Sequence, residues 1–276
     1  ALFYSCSRPF LAEPVNIYSI YNGDKEMWNH IFEEGENAYQ FEAEPFGVII
    51  PHHMIVGYQL AKFYNGLSKV KDPSVVVVIG PNHYENGKAS VQTCLQCVYK
   101  TNEGDVNLAE DYVQKLVEDK IAVNQDDTFV KEHSIHAHTP YIKHYFPNSQ
   151  IVPMVLQWEM PLVEVKDLSE WLNENLPEDA LIIASVDFSH YIPVEAADFH
   201  DRSSFASISN FDFENIYDLE LDSPSSIYLI LDLMKKRGFE GATRLEHTNL
   251  DQFVSEHSDY STSHQYFAFF EGEQEQ

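Results

Sequence analysis

Short apolar runs at residues 47–50, 75–79, 151–156 and 181–186 divide the chain, and helical spacing of apolar positions fills the intervals between them. Each run is too brief for a helix and most are rich in β-branched residues, which predicts strands buried on both faces, as in a parallel sheet. Between them, Leu60, Phe63, Tyr64 and Leu67 mark one face of a helix over residues 58–67, and Leu108, Tyr112, Val113, Leu116 and Val117 do the same over 108–118. Further helices are expected over 162–176 and 226–236, the latter opened by Ser223-Pro224 and stopped by Gly238. Residues 132–147 read as a short helix interrupted at Pro140, and 196–216 as mixed helix and loop. Residues 88–99 suit a hairpin or edge strand. The last two strands are expected at 243–247 and 264–270, separated by a polar, acidic loop.

Alternating strands and helices of this kind predict a single three-layer α/β domain over residues 46–276, its sheet mostly parallel or mixed, with helices on both faces. Residues 1–45 are aromatic and acidic with little periodicity, and are expected to form an N-terminal arm packed on that domain.

Charge narrows the partners. The formal net charge is −27 and the pI near 4.6, so nucleic-acid phosphate and anionic lipid would be repelled. A small-molecule or peptide ligand is expected instead, and no apolar run reaches the roughly 20 residues of a membrane span. Cys6, Cys94 and Cys97 do not make a disulfide framework, and the Cys94-Leu-Gln-Cys97 spacing has no second pair to complete a four-ligand zinc site. The first residue, Ala1, is consistent with a removed leader or tag, so both cytoplasmic and exported locations stay open; oligomeric state is not legible.

The chemistry gathers at strand ends. The run at 47–50 closes in Pro51-His52-His53, the run at 75–79 in Gly80-Pro81-Asn82-His83, and the run at 181–186 in Asp187-Phe188-Ser189-His190. In an α/β fold, ligands bind beyond the carboxyl ends of the strands, so these imidazoles and this carboxylate should share one rim. Asp187 is placed to orient a histidine, and Glu132-His133 has the form of a carboxylate-supported general base. HExxH, GxSxG and phosphate-cradling glycine loops are absent, which removes the main support for zinc peptidase, α/β-hydrolase and nucleotide-binding readings.

These motifs, with Ser134-Ile135 and Pro140-Tyr141-Ile142 following Glu132-His133 and Ser185 to Tyr191 around Asp187, resemble in order those of the MEMO family, whose prokaryotic members are also called AmmeMemoRadiSam system protein B. The resemblance runs from about Gly47 to near Phe270. The family is similar in fold to class III extradiol dioxygenases of the LigB type, which implies a divalent metal, iron(II) first with copper or zinc as alternatives. Carried over by position, the first two metal ligands fall on His52 and His83, the pocket residues on Glu132, His133, Asp187 and His190. The family's usual PHAGY here reads PHHMIVGY, making His53 an additional cofactor-binding candidate alongside Glu132. The cysteine expected shortly before a proline is missing from Leu219 to Pro224; Glu220 is the carboxylate nearest its place, with Asp222 the competitor.

The resemblance implies a metal-binding protein with a non-haem iron or copper site at the sheet edge. As a redox or dioxygenase-type enzyme it would use His133, Asp187 and His190 in catalysis. The alternatives are a non-catalytic metal- or peptide-binding module and an extracellular assembly protein.

Overall fold

The computed structural model describes residues 13–255 and 259–271. In chain order, β1 (Val15–Tyr18) and α1 (Lys25–Glu34) precede β2 (Pro45–Ile50), α2 (Gly57–Leu67) and β3 (Val75–Pro81). Three short strands follow, β4 (Val91–Thr93), β5 (Cys97–Thr101) and β6 (Gly104–Val106), then α3 (Glu110–Glu118) and β7 (Val123–Asn124). Next come α4 (Asp126–Phe129), α5 (His133–His136), α6 (Thr139–Tyr145), β8 (Gln150–Leu156), α7 (Leu162–Asn175) and β9 (Leu181–Ser185). The chain ends through α8 (Val194–Ser209), α9 (Pro224–Lys236), β10 (Thr243–Asn249) and β11 (Ser263–Phe270).

Among the described residues the main sheet has eight strands in the order β10-β11-β2-β9-β3-β8-β4-β7. Its centre, β2-β9-β3-β8, is parallel, while β10, β11 and β4 run antiparallel to their inner neighbours. Both flanking layers are visible from β11, because successive strand residues point to opposite faces. Tyr266 packs on Phe63 of α2 with ring centroids 5.5 Å apart, whereas Phe267 stacks on Phe205 of α8 at 6.5 Å. Gly47, paired with Phe269, lies against Met234 of α9 on the α8 side. The fold is thus the three-layer α/β arrangement expected, with a mixed sheet. Among the described residues, no helix is long and apolar enough to cross a membrane.

Three segments differ from their sequence reading. The stretch before Pro45 is more regular than its periodicity suggests: β1 pairs in parallel with β5 in a second, three-stranded sheet, and α1 buries Trp28 and Ile31. Residues 1–12, including Cys6, lie outside the described residues. Pro140 starts α6 rather than interrupting a helix, since a proline in the first turn forfeits no helical hydrogen bond. Residues 88–99 split between sheets: β4 joins the main sheet, β5 the small one, and a Cys94–Cys97 disulfide closes the turn between them.

Candidate metal centre

Parallel pairing brings the three strand ends to one rim. Ile50 of β2 lies opposite Ser185 of β9, and Ile79 of β3 opposite Ala184. The residues just beyond, His52, His83 and Asp187, therefore meet, with the rings of His52 and His83 5.2 Å apart. A fourth segment reaches in from the start of α9. The amide of Asp222 donates to Asp187 O at 3.1 Å, and the amide of Asp187 donates to Asp222 Oδ1 at 3.2 Å.

At the middle of this cluster is Asp222 Oδ2. Nε2 of His52 stands 3.2 Å from it and Nε2 of His83 3.5 Å, yet this buried oxygen makes no hydrogen bond among the described residues. Asp187 Oδ2 is 3.5 Å from the same His52 nitrogen.

The far side of each ring fixes which nitrogen faces inward. Ser185 Oγ donates to Ser134 O at 2.7 Å, so it accepts from His52 Nδ1 at 2.9 Å. His83 Nδ1 donates to Glu132 Oε1 at 2.8 Å. Both Nε2 lone pairs are thereby directed at one buried, unpartnered carboxylate oxygen, a donor set that asks for a cation.

Left to protons, the cluster draws positive charge in the same way. Burial opposes a charge on His52, but Asp187 and Asp222 outweigh it and raise its pKa. The same contest at His83, won by contacts with Asp222 and Glu132, holds its pKa up at about 10. Glu132 is buried, which works against its charge, but His83 brings it down to about 2. Asp187 and Asp222 are likewise held below the usual carboxylate range against their burial, with the His52 charge the leading cause in each.

His133 differs. Its ring stacks on that of His83 at 4.3 Å, and the side chain is 40% exposed. Burial, then repulsion from His52 and His83, lowers its pKa to about 4, leaving a neutral imidazole at the rim. One ligand atom each from His52, His83 and His133 lie within 4.8 Å of one another, as do those of His52, Asp187 and Asp222. Beside them opens a cleft of about 750 Å³ whose walls include Lys88 and half-exposed Trp158.

Not every expected residue arrives. Glu220 is exposed: Leu219 and Leu221 are buried on either side of it, so the intervening side chain turns to solvent and Asp222, the competitor, enters the cluster. His53 turns away, its Nδ1 3.0 Å from His264 Nε2 of β11, although its amide reaches Asp187 Oδ1 at 3.4 Å. Glu132 supports His83 rather than His133, from which it is 3.8 Å. His190 lies on the loop after β9, its ring 5.7 Å from that of Tyr191.

His138, read as plain from sequence, is fully buried with Nε2 2.9 Å from Ser185 Oγ and Nδ1 3.0 Å from Tyr64 OH. The available signal was Ser185 itself, a hydroxyl at the end of a buried apolar strand that must find partners.

A family model described as "Memo-like protein" matches residues 18–264. A MEMO1 family protein of Pyrobaculum aerophilum is 28% identical over 80% of this chain and 83% of its own, and one of Caldivirga maquilingensis is 32% identical over 72% and 74%. A solved structure of an uncharacterized Escherichia coli K12 protein superposes with a TM-score of 0.49 at 11% identity, covering 79% of this chain and 98% of that one.

Proposed function

The chain belongs to the Memo-like protein family, and we propose that it is a metal-dependent redox protein holding a divalent metal, iron(II) by its donor set, on His52, His83 and Asp222. The observation behind this is the buried Asp222 Oδ2, without a hydrogen bond and faced by two imidazole Nε2 atoms. Two histidines and one carboxylate are the set used by non-haem Fe(II) sites that keep positions open for ligands. Such a metal supplies Lewis acidity and electron exchange to whatever small molecule or peptide group binds beside it.

The chain's own residues prepare that event. Glu132 and Ser185 fix the tautomers of the two histidines. The Asp187 carboxylate accepts from the His52 amide at 3.1 Å, its carbonyl accepts from the Asp222 amide at 3.1 Å and its own amide donates to Asp222 Oδ1 at 3.2 Å, so it positions both of those residues. His133, neutral and partly exposed, is placed to accept a hydrogen bond from an entering hydroxyl. The adjoining cleft is lined by half-exposed Trp158, which suits an apolar or aromatic ligand, and by Lys88 alongside Glu85 and Glu159.

Elemental analysis of protein purified without added metal tests the reading. About one equivalent of iron, lost in Asp222→Asn and in the His52→Ala/His83→Ala double variant but retained in Glu220→Ala, is the expected result. Oxygen uptake with catechols then tests the dioxygenase-type version. Metal content unchanged by Asp222→Asn, or zinc as the sole metal, would overturn the redox site as drawn.

A further inference from the structure

Away from the metal centre, α8 and β10 bring together a second set of ligand-type groups. Asp198 and Asp201 are three residues apart on α8 and so project from one helix face. His247 and Asn249 are two apart on β10 and share one side of the strand. One ligand atom each from Asp198, Asp201 and His247 lie within 4.8 Å of one another. All four residues line a cleft of about 270 Å³.

Two observations make this more than a surface cluster of acids. Asp201 is only 1% exposed; its Oδ1 accepts from Ser189 Oγ at 3.1 Å and Ser263 Oγ at 2.9 Å, and its Oδ2 stands 2.7 Å from His247 Nε2. Asn249 is 8% exposed, and its side-chain carbonyl oxygen has no hydrogen-bond partner among the described residues. A simple Asp201–His247 ion pair would leave that buried acceptor orphaned, which is unfavourable. Arg202 and Arg244 also border the cleft, but the Arg244 guanidinium is committed to Gln265 Oε1 at 3.2 Å and to the Phe205 ring at 4.0 Å.

We infer that this cleft is a second divalent-cation site, with Asp198, Asp201, His247 and Asn249 as its ligands. Three oxygens and one imidazole suit Mn²⁺ or Zn²⁺ better than the softer thiophilic ions. The cation replaces the proton shared by Asp201 and His247 and satisfies the Asn249 oxygen. It also ties α8 to β10, and through Asp201 it anchors Ser189 and Ser263. Ser189 belongs to the loop that carries Asp187, so the cation braces the support of the first site without entering it.

The test is an Mn²⁺ titration followed by electron paramagnetic resonance, using the full chain with His52→Ala and His83→Ala to silence the first site. About one bound Mn²⁺ carrying imidazole-nitrogen coupling is expected. Binding should weaken about tenfold or more in His247→Gln, with loss of the nitrogen coupling, and likewise weaken in Asp198→Asn. Neither substituted side chain is fully buried, and circular dichroism checks that each variant is folded. In protein with the first site intact, Zn²⁺ stoichiometry should fall by one equivalent in the same variants, whether or not the first site proves to be a redox centre. Absence of Mn²⁺ and Zn²⁺ binding at millimolar concentration in the silenced protein, or binding unaltered in both variants, overturns the site.

Discussion

Glu132 holds His83 at two points: Oε1 accepts from the ring Nδ1 at 2.8 Å and Oε2 from the backbone amide at 2.9 Å. One buried carboxylate therefore sets both the position of the residue and the direction of its inward lone pair. Glu132→Gln keeps the shape but removes the charge that makes Nε2 a strong donor. Metal affinity should fall about 10–100-fold, the usual effect of losing a partner behind a ligating histidine. Competition with a chromophoric chelator measures it; an effect no larger than that of His133→Ala would show that Glu132 does not act through His83.

Gly80 makes that contact possible. A Cβ at this position would lie 2.7 Å from Ser134 Cβ, and Ser134 lies in the first turn of α5, where its amide donates to the capping Glu132. Gly80→Ala should push α5 from the end of β3, costing about 1–3 kcal/mol as overpacking does. It should also lower metal occupancy by disturbing Glu132. Chemical denaturation and metal analysis on the same sample separate the two effects, and a variant that keeps parental stability would contradict the close approach.

The buried histidines make the metal-free protein sensitive to acid. Burial lowers the His138 pKa to about 3, far below the ordinary histidine value of 6.5. Between these values the unfolded chain binds a proton that the folded one refuses, so stability is complete above pH 6.5 and is lost as pH falls toward 3. The slope from this one residue is about 1.4 kcal/mol per pH unit. His83 works in the opposite sense: its pKa of about 10 gives stability that is present below pH 6.5 and lost as pH rises through 10. Urea denaturation in chelator should therefore find an optimum near pH 6.5. His138→Gln should flatten the acid limb by about one proton while lowering stability overall, because Tyr64 and Ser185 lose their partner.

Much of this architecture can be read from residue pattern because buried parallel strands have an unmistakable composition. The runs ending at Ile50, Ile79 and Val186 suffice to put His52, His83 and Asp187 at one edge. His53 could also have been assigned, since neighbours in extended chain point to opposite sides and only one of an adjacent pair can face the centre. The choice between Glu220 and Asp222 could not. It depends on the burial of Leu219 and Leu221 in an irregular turn, where no helical or strand period fixes direction. The helix α1 is not legible in the sequence because only Trp28 and Ile31 of its ten residues are buried, too few to stand out from an acidic background.

That helix makes the N-terminal arm more than a wrapping. Trp28 is 2% exposed and meets Tyr141 of α6 edge-on with centroids 5.2 Å apart. Tyr141 in turn donates to Gly57 O at 3.0 Å and lies parallel to Tyr64 at 5.2 Å, and Tyr64 bonds His138. A packed column thus runs from the arm to Ser185 and the back of His52. Truncation of Trp28 to alanine should cost about 3–5 kcal/mol, the range for a large buried aromatic, while the metal stoichiometry of the folded fraction stays unchanged because no ligand is touched. Residues 46–276 expressed alone should lack a cooperative unfolding transition, since Tyr141 and its neighbours would lose the cover that α1 provides. Urea denaturation of both proteins measures this; a shortened chain that unfolds at the parental midpoint would make the arm an accessory and place the boundary of the folding unit at Pro45.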